Sequence, residues 1–216
     1  MCSHFNPVLD PRRLSLHFKV TGIDIGTKSG IWPGYVAPFI RKHEHADVGD
    51  DAVPFRELMT GSFGMIPHWA KDANIARRTY NARSETVHEK PSFRDAWRLG
   101  RHCIIPADAI FEPDWRTGRA VQTKIVRKDH KPMGIAGIWT GWIQPDRSIL
   151  RSFSMLTVNA DDHGFMRNYH KPQDEKRMVV ILQDDEYDAW LGAAPEESHQ
   201  FLKQYPAELM QTKVGV

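Results

Sequence analysis

Six short segments of apolar or alternating residues, each bounded by turn-forming residues, dominate this sequence. Segments of this kind are typical of β-strands in a half-buried sheet. They outnumber the helical segments, and the two types do not alternate regularly as they would in a doubly wound parallel sheet. The pattern therefore predicts an α+β fold built on an antiparallel sheet. The predicted strands cover residues 61–66, 101–105, 121–126, 133–139, 153–158 and 178–182.

Helices are predicted at fewer places, namely residues 10–18, 92–99, 184–191 and 196–204. We expect Ser92 to cap the second helix and Asp184 or Asp185 to begin the third, because short polar and acidic residues suit a helix N-terminus. Residues 41–51 are polar throughout and predict a surface loop. The histidines of this segment offer a metal-binding alternative, but a solvated loop is the simpler interpretation.

The chain has 216 residues, of which 41% are hydrophobic, enough for a buried core in one large domain or two small ones. No segment approaches the roughly 20 apolar residues of a membrane span, and the first residues lack the apolar region of a signal peptide. Two cysteines, Cys2 and Cys103, indicate neither a disulfide framework nor a metal cage. We therefore expect a reduced, cytoplasmic protein with no metal and no cofactor.

The formal net charge is only +2, but the distribution of charge along the chain is uneven. Acidic residues concentrate after Gln183, and basic residues concentrate before it. A basic middle region permits a polyanionic ligand, although charge alone favours a solvated surface. The clustered basic residues are Arg77, Arg78, Arg83, Arg94, Arg98 and Arg101, then Arg167, Lys171, Lys176 and Arg177.

Cys2 carries unusual chemistry because removal of Met1 would give one residue both a thiol and a free α-amine. The reference pKa values are about 7.7–8.0 for the amine and about 8.5 for the thiol, so both are partly nucleophilic at neutral pH. An aldehyde would condense with the amine to an imine, which the thiolate would close to a thiazolidine. Attack of the thiol on an acyl carbon, as in N-terminal nucleophile hydrolases, is an alternative. An incidental terminal cysteine is another.

Residues 80–86 (YNARSET) bring an amide, a guanidinium, hydroxyls and a carboxylate together. The guanidinium of Arg83 suits bidentate binding of phosphate or carboxylate. The amide of Asn81 suits orientation of a carbonyl or a sugar oxygen. The structural alternative is a helix start capped by Ser84.

Glu112 follows the apolar segment 103–111, and burial there would raise its pKa into the range of a general acid near neutral pH. An exposed strand end is the alternative. His170 lies among basic residues just before a predicted strand and is a candidate acid or base, although a lone histidine is usually structural. Trp69 is a candidate for nucleobase stacking, although packing in a core is the commoner use of tryptophan.

Several of these segments occur in a characteristic order: MC at the start, FGMIPHW, YNARSET, CIIPADAIFE, AGIW and HKPQDEKRMVVIL. From residue 2 to about residue 182 this series resembles the SRAP family, the SOS-response-associated peptidases or abasic-site processing proteins. The resemblance implies a single domain over residues 1–216, with a distorted antiparallel β-barrel-like core flanked by helices. It also implies covalent capture of abasic sites in single-stranded DNA, with AP-lyase activity as a further option.

The resemblance implies a role for each matching residue. Cys2 would form the thiazolidine with the ring-opened deoxyribose, and Asn81 would position the sugar or the terminal amine. Glu112 would act as general acid and base, and His170 would assist Schiff-base chemistry, strand incision or crosslink reversal. The residues expected to contact DNA are His4, Trp69, Arg78, Arg83 and Arg177.

The chain departs from the usual family pattern at three places. It begins MCSHF rather than MCGRF, and replacement of the usual arginine by His4 predicts a weaker, more pH-dependent contact with DNA. Pro113 replaces the usual aromatic residue after the glutamate, with Trp115 two positions later, and Val179 replaces a common proline.

The expected partner is single-stranded DNA containing abasic sites, bound by a monomer. Two alternatives remain open: a cysteine peptidase or autopeptidase that uses Cys2, Glu112 and His170, and a non-catalytic single-stranded DNA-binding module.

Overall fold

The computed structural model describes residues 2–21, 26 and 28–213. The strands of this part of the chain are β1 (His4–Pro7), β2 (Val36–Lys42), β3 (Arg56–Phe63), β4 (Asn81–Arg83), β5 (His102–Asp114), β6 (Val121–Arg127), β7 (Met133–Ile143), β8 (Ile149–Asn159), β9 (Arg177–Val179), β10 (Ile181–Leu182) and β11 (Met210–Lys213). The α-helices are α1 (Pro11–Phe18), α2 (Arg94–Arg98) and α3 (Tyr187–Gly192). Short 3₁₀ helices cover Ala73–Arg78, Met166–Asn168, Ser198–Phe201 and Ala207–Leu209.

Five of the strands close into a barrel. The order of pairing is β7–β8–β3–β2–β5, and β5 pairs again with β7 to complete the circle. All of these pairs are antiparallel except β3–β8, which is parallel. The predicted α+β fold with a distorted barrel-like core is therefore confirmed. The one parallel pair is the main distortion that the strand pattern did not predict.

Strands outside the barrel bring distant parts of the sequence to its wall. β1 runs antiparallel to β5, with His4 opposite Phe111. β4 runs parallel to β8, with Asn81 opposite Met155. β9 pairs with the end of β8, with Arg177 opposite Asn159. Three segments that carry candidate functional residues are thereby attached to β5 and β8, the two barrel strands that pair with β7.

One hydrophobic cluster, which extends along the sequence from Cys2 to Met210, fills the interior. At the edge of this cluster, the backbone at position 64 passes so close to the backbone of Ala76 that only glycine fits. Gly64 has a φ of +116°, and a Cβ atom there would overlap the carbonyl group of Ala76. Only glycine combines that dihedral angle with so little space.

All six predicted strands form, but most extend beyond their predicted limits. The prediction for 101–105 ended before Pro106, whereas β5 continues to Asp114. Pro106 lacks an N–H group, but its carbonyl accepts a hydrogen bond from Val8 N at 3.0 Å, so the proline does not interrupt the strand. β1, β2, β4 and β11 were not predicted, because they are short or depend on partners far away in the sequence.

Three of the four predicted helices form as α-helices, each with fewer residues than predicted. α1 begins after Asp10, whose carboxylate accepts a hydrogen bond from Arg12 N at 2.8 Å. Ser92 does not cap α2, since Phe93 occupies the N-cap position, and Glu186 rather than an aspartate precedes α3. The segment 196–204 forms a 3₁₀ helix in place of an α-helix. Among the described residues, no helix is long and apolar enough to cross a membrane.

Candidate active site

Cys2 lies in the hydrophobic interior at the entrance to β1, with only 1% of its surface exposed. The thiol is oriented towards His4 O, at 3.4 Å from Sγ. Burial raises the pKa of the Cys2 thiol, and the charge of the nearby Glu112 raises it further. Cys2 therefore rests as a neutral thiol, and its activation requires a base within the site.

Asn81 holds the backbone of Cys2. Its Nδ2 donates a hydrogen bond to Cys2 O at 2.8 Å, between residues 79 positions apart in the sequence. The other amide atom, Oδ1, is buried and has no hydrogen-bond partner among the described residues. An unused buried acceptor is costly. Because Asn81 lies beside Cys2, its Oδ1 can accept a hydrogen bond from the reacting groups.

Glu112 lies on β5 with 1% of its surface exposed. Burial raises the pKa of this carboxyl group to about 7, even though the positive charge of the amino terminus acts in the opposite direction. A carboxyl group that titrates near neutral pH can both give and take a proton under physiological conditions.

His170 faces Glu112, with 3.4 Å between His170 Nε2 and Glu112 Oε2. The same Nε2 lies 3.3 Å from Arg177 O. A carbonyl oxygen only accepts, so this contact requires the tautomer with the proton on Nε2. Burial lowers the pKa of His170 to about 4, so the ring is neutral at pH 7. The pair thus couples a neutral imidazole to a carboxyl group that titrates near pH 7.

The backbone of His170 has a φ of +67°, which is uncommon for a residue other than glycine. The neighbouring chain holds this conformation in place. His170 N donates to Pro113 O at 2.8 Å, and Tyr169 forms a β-bridge with Asp114. The end of β5 therefore carries Glu112 and also fixes the segment that presents His170.

Comparison with known proteins identifies the family. A family model described as SOS response associated peptidase (SRAP) matches residues 1–215. The chain belongs to the SRAP family. The resemblance inferred from the sequence motifs is thereby confirmed.

Individual relatives support the assignment. The abasic site processing protein YoqW of Bacillus subtilis is 32% identical over 155 residues, which cover 69% of this chain and 65% of that protein. The abasic site processing protein HMCES of Gallus gallus is 26% identical over 193 residues, which cover 78% of this chain and 54% of that protein. The chain therefore spans less than two thirds of the length of these curated relatives.

Solved structures share the SRAP fold seen here. A protein from Bordetella bronchiseptica superimposes with a TM-score of 0.87 at 40% identity, with complete coverage of both chains. A protein from Bacteroides thetaiotaomicron superimposes with a TM-score of 0.78 at 22% identity, covering 98% of this chain and 90% of that chain. The second likeness concerns the fold alone.

Arg177 lies close to this SRAP site but is used differently from our expectation of a contact with DNA phosphate. It is 2% exposed. Its Nη1 donates to Glu175 at 2.6 Å, its Nη2 to Glu85 at 2.8 Å, and its Nε to Thr157 at 3.2 Å. Since these protein acceptors engage the guanidinium group, the arrangement favours a structural role. Arg83, about half exposed, pairs with Glu175 at 2.8 Å and remains accessible to a phosphate.

The other residues expected to contact DNA come from two separate segments of the chain. Trp69 is about half exposed, and its Nε1 donates to Pro91 O at 3.4 Å. Arg78 is exposed at the end of the 3₁₀ helix Ala73–Arg78. Both belong to the connection between β3 and β4. His4 lies instead on β1, with its ring between two aromatic side chains.

Tyr80 is a site residue that sequence reasoning missed. Burial raises its pKa, and the charges of Cys2 and Glu112 raise it further, which places the phenol beside the proposed reactive groups. The residue stands directly before Asn81 within YNARSET, and its position in that motif could have suggested it.

Proposed function

We propose that this protein captures abasic sites in single-stranded DNA by forming a covalent thiazolidine through Cys2. One observation carries the proposal: Cys2, Asn81, Glu112 and His170, from four separate segments, converge on one buried cluster. The curated relatives are named abasic site processing proteins, which supports the same class of substrate. The exposed arginines Arg78 and Arg83 offer contacts to backbone phosphates.

The proposed reaction begins after removal of Met1. The abasic deoxyribose opens from its hemiacetal to the aldehyde, with Glu112 as the proton donor and acceptor. The α-amine of Cys2 adds to the aldehyde carbon, and loss of water gives an imine. The Cys2 thiol then gives its proton to the carboxylate of Glu112, sulfur adds to the imine carbon, and nitrogen takes up a proton. A five-membered thiazolidine results, with no oxidant or other co-reactant.

Strand incision is a branch of the same scheme. The imine intermediate acidifies the neighbouring carbon of the sugar, and loss of a proton there eliminates the 3′ phosphate. The neutral imidazole of His170 would take this proton on Nδ1, because Nε2 already carries a proton directed at Arg177 O. Closure by the thiol competes with elimination, so the protein acts mainly by crosslinking while the thiol is present.

Removal of Met1 by the protein itself is the peptidase activity that the same cluster favours. The Cys2 thiol would attack the carbonyl carbon of Met1, and water would release the methionine from the acyl intermediate. Intact-mass measurement on the unaltered protein and on Glu112→Gln tests this step. Retention of Met1 only in the variant supports self-processing, whereas equal processing of both proteins contradicts it.

The test of the main proposal is a denaturing gel after incubation with a single-stranded oligonucleotide that contains one abasic site. We expect a band of protein-bound DNA that resists heat and detergent. It should disappear in Cys2→Ala and persist in Cys103→Ala, the control at the other buried cysteine. Absence of the band with correctly processed protein, or its persistence in Cys2→Ala, would refute the proposal.

A further inference from the structure

Three aromatic rings form a continuous stack on the surface at the start of β1. The ring of His4 lies between Trp32 and Phe111, at centroid distances of 4.3 Å and 4.1 Å. The interplanar angles are 9° and 17°, so all three rings are nearly parallel. Trp32 ends the stack and is 42% exposed. A large flat ring that is supported from beneath therefore faces solvent.

Contacts with neighbouring residues fix the positions of the stacked rings. Gln122 Nε2 lies 2.9 Å from His4 Nδ1, which fixes the plane of the imidazole. A Cβ atom on Gly30 would lie 3.0 Å from His4 Nε2, so the backbone before Trp32 passes directly over the imidazole edge. Phe5 and Ile31 exchange backbone hydrogen bonds at 3.2 Å and 2.9 Å, which attaches the segment that carries Trp32 to β1.

Two chain segments connect this aromatic stack to the reactive cluster. His4 is two residues from Cys2, and Phe111 directly precedes Glu112. Because extended backbone advances at most about 3.3–3.6 Å per residue, the Cα atoms of Cys2 and His4 are no more than about 7 Å apart. A nucleotide adjacent to one captured at Cys2 would therefore come within reach of the stack.

The neighbouring surface suits nucleic acid. Tyr35 is 39% exposed, and Lys28 Nζ lies 4.4 Å from the centroid of its ring. A second accessible ring thus accompanies Trp32, together with a cation that complements a phosphate. Aromatic rings interleaved with basic side chains are the usual surface for unpaired nucleotides.

We propose that Trp32 is the stacking platform for the unpaired nucleobase next to the abasic sugar. A base beside an abasic site has lost a stacking neighbour within the DNA, and the outer face of the Trp32 indole supplies a replacement. Stacking there holds the strand so that the baseless sugar lies over Cys2. This inference rests on the proposed function. It specifies which interaction would position the abasic sugar of a DNA strand at Cys2.

The test measures binding without crosslinking. The probe is a fluorescent single-stranded oligonucleotide with one tetrahydrofuran residue, an abasic analogue that lacks the aldehyde, flanked on both sides by adenine. In a second probe the two flanking nucleotides are also tetrahydrofuran. We expect Trp32→Ala to weaken binding of the first probe by about 5- to 150-fold, the range for loss of one base–aromatic stack, and to leave binding of the second probe unchanged.

Two control variants make the result specific to stacking. Trp32→Phe keeps a ring and should retain most of the affinity for the adenine-flanked probe. Leu16→Ala removes an exposed apolar side chain of α1 and should bind both probes like the unaltered protein. The inference is overturned if Trp32→Ala binds the adenine-flanked probe normally, or if it loses affinity equally for both probes.

Failure of this inference can be told apart from failure of the proposed function. Crosslinking of the unaltered protein to true abasic DNA tests Cys2 whatever Trp32 does. Binding of the tetrahydrofuran probes reports on Trp32 whether or not a crosslink can form.

Discussion

Replacement of Glu112 by glutamine should make the protein more stable at alkaline pH. Burial raises the pKa of Glu112 from 4.5 to about 7. Each pKa unit corresponds to about 1.36 kcal/mol, so holding the ionised carboxylate in the folded protein costs about 3 kcal/mol. Glutamine has nearly the same shape and no charge, and it avoids this cost.

The effect has a defined pH range. Between pH 4.5 and about 7 the folded protein keeps the Glu112 proton that the unfolded chain has lost. The free energy of unfolding therefore falls as pH rises through this range and is level above it. His170 has the opposite effect at lower pH. Because burial lowers its pKa from 6.5 to about 4, its contribution to the free energy of unfolding is lost as pH falls from 6.5 to about 4. Glu112→Gln should remove the fall in the free energy of unfolding between pH 4.5 and about 7 and leave the effect of His170 in place.

Urea unfolding of the two proteins between pH 5 and pH 8 measures this difference. We expect Glu112→Gln to exceed the unaltered protein by about 3 kcal/mol at pH 8 and to differ much less at pH 5. Glu196→Gln, a change at an exposed position, controls for loss of a surface carboxylate. A difference between Glu112→Gln and the unaltered protein that is the same at pH 5 and pH 8 would refute the assignment of a desolvated carboxyl group.

Three other changes test the surrounding structure. Arg177→Ala should lower the free energy of unfolding by about 3 kcal/mol in urea titrations, because it leaves two glutamates without their buried partner, although their partial exposure moderates the cost. Gly64→Ala should cost about 3 kcal/mol or more in the same assay, since its φ of +116° and the nearby carbonyl of Ala76 exclude a Cβ atom. Asn81→Ala should slow crosslinking in single-turnover assays by about 10- to 100-fold, because the backbone of Cys2 loses its 2.8 Å hydrogen bond; an unchanged rate would show that Asn81 does not position Cys2.

Much of the fold follows from local pattern. β6, β7 and β8 alternate or run apolar between turn residues, and their positions were recognisable without partners. β4 was not, because three residues have no periodicity of their own and extend only when paired with β8. Closure of the barrel depends on the β7–β5 and β3–β8 pairings, which join residues distant in the sequence.

The sequence by itself determined the chemical groups of the candidate site. Cys2, Asn81, Glu112 and His170 stand out as a nucleophile, an amide, an acid and a base, since these properties belong to single side chains and to their order in the family's motifs.

Only the tertiary structure decided how those groups behave. The pKa of Glu112 near 7 requires burial by many distant atoms, and the contact between Asn81 and Cys2 requires two strands to be attached to the barrel. The same applies to Arg177, whose glutamate partners withdraw it from the surface, and to His4, which became part of an aromatic stack. Desolvation and pairing are properties of the assembled chain, because each depends on which residues the fold brings together.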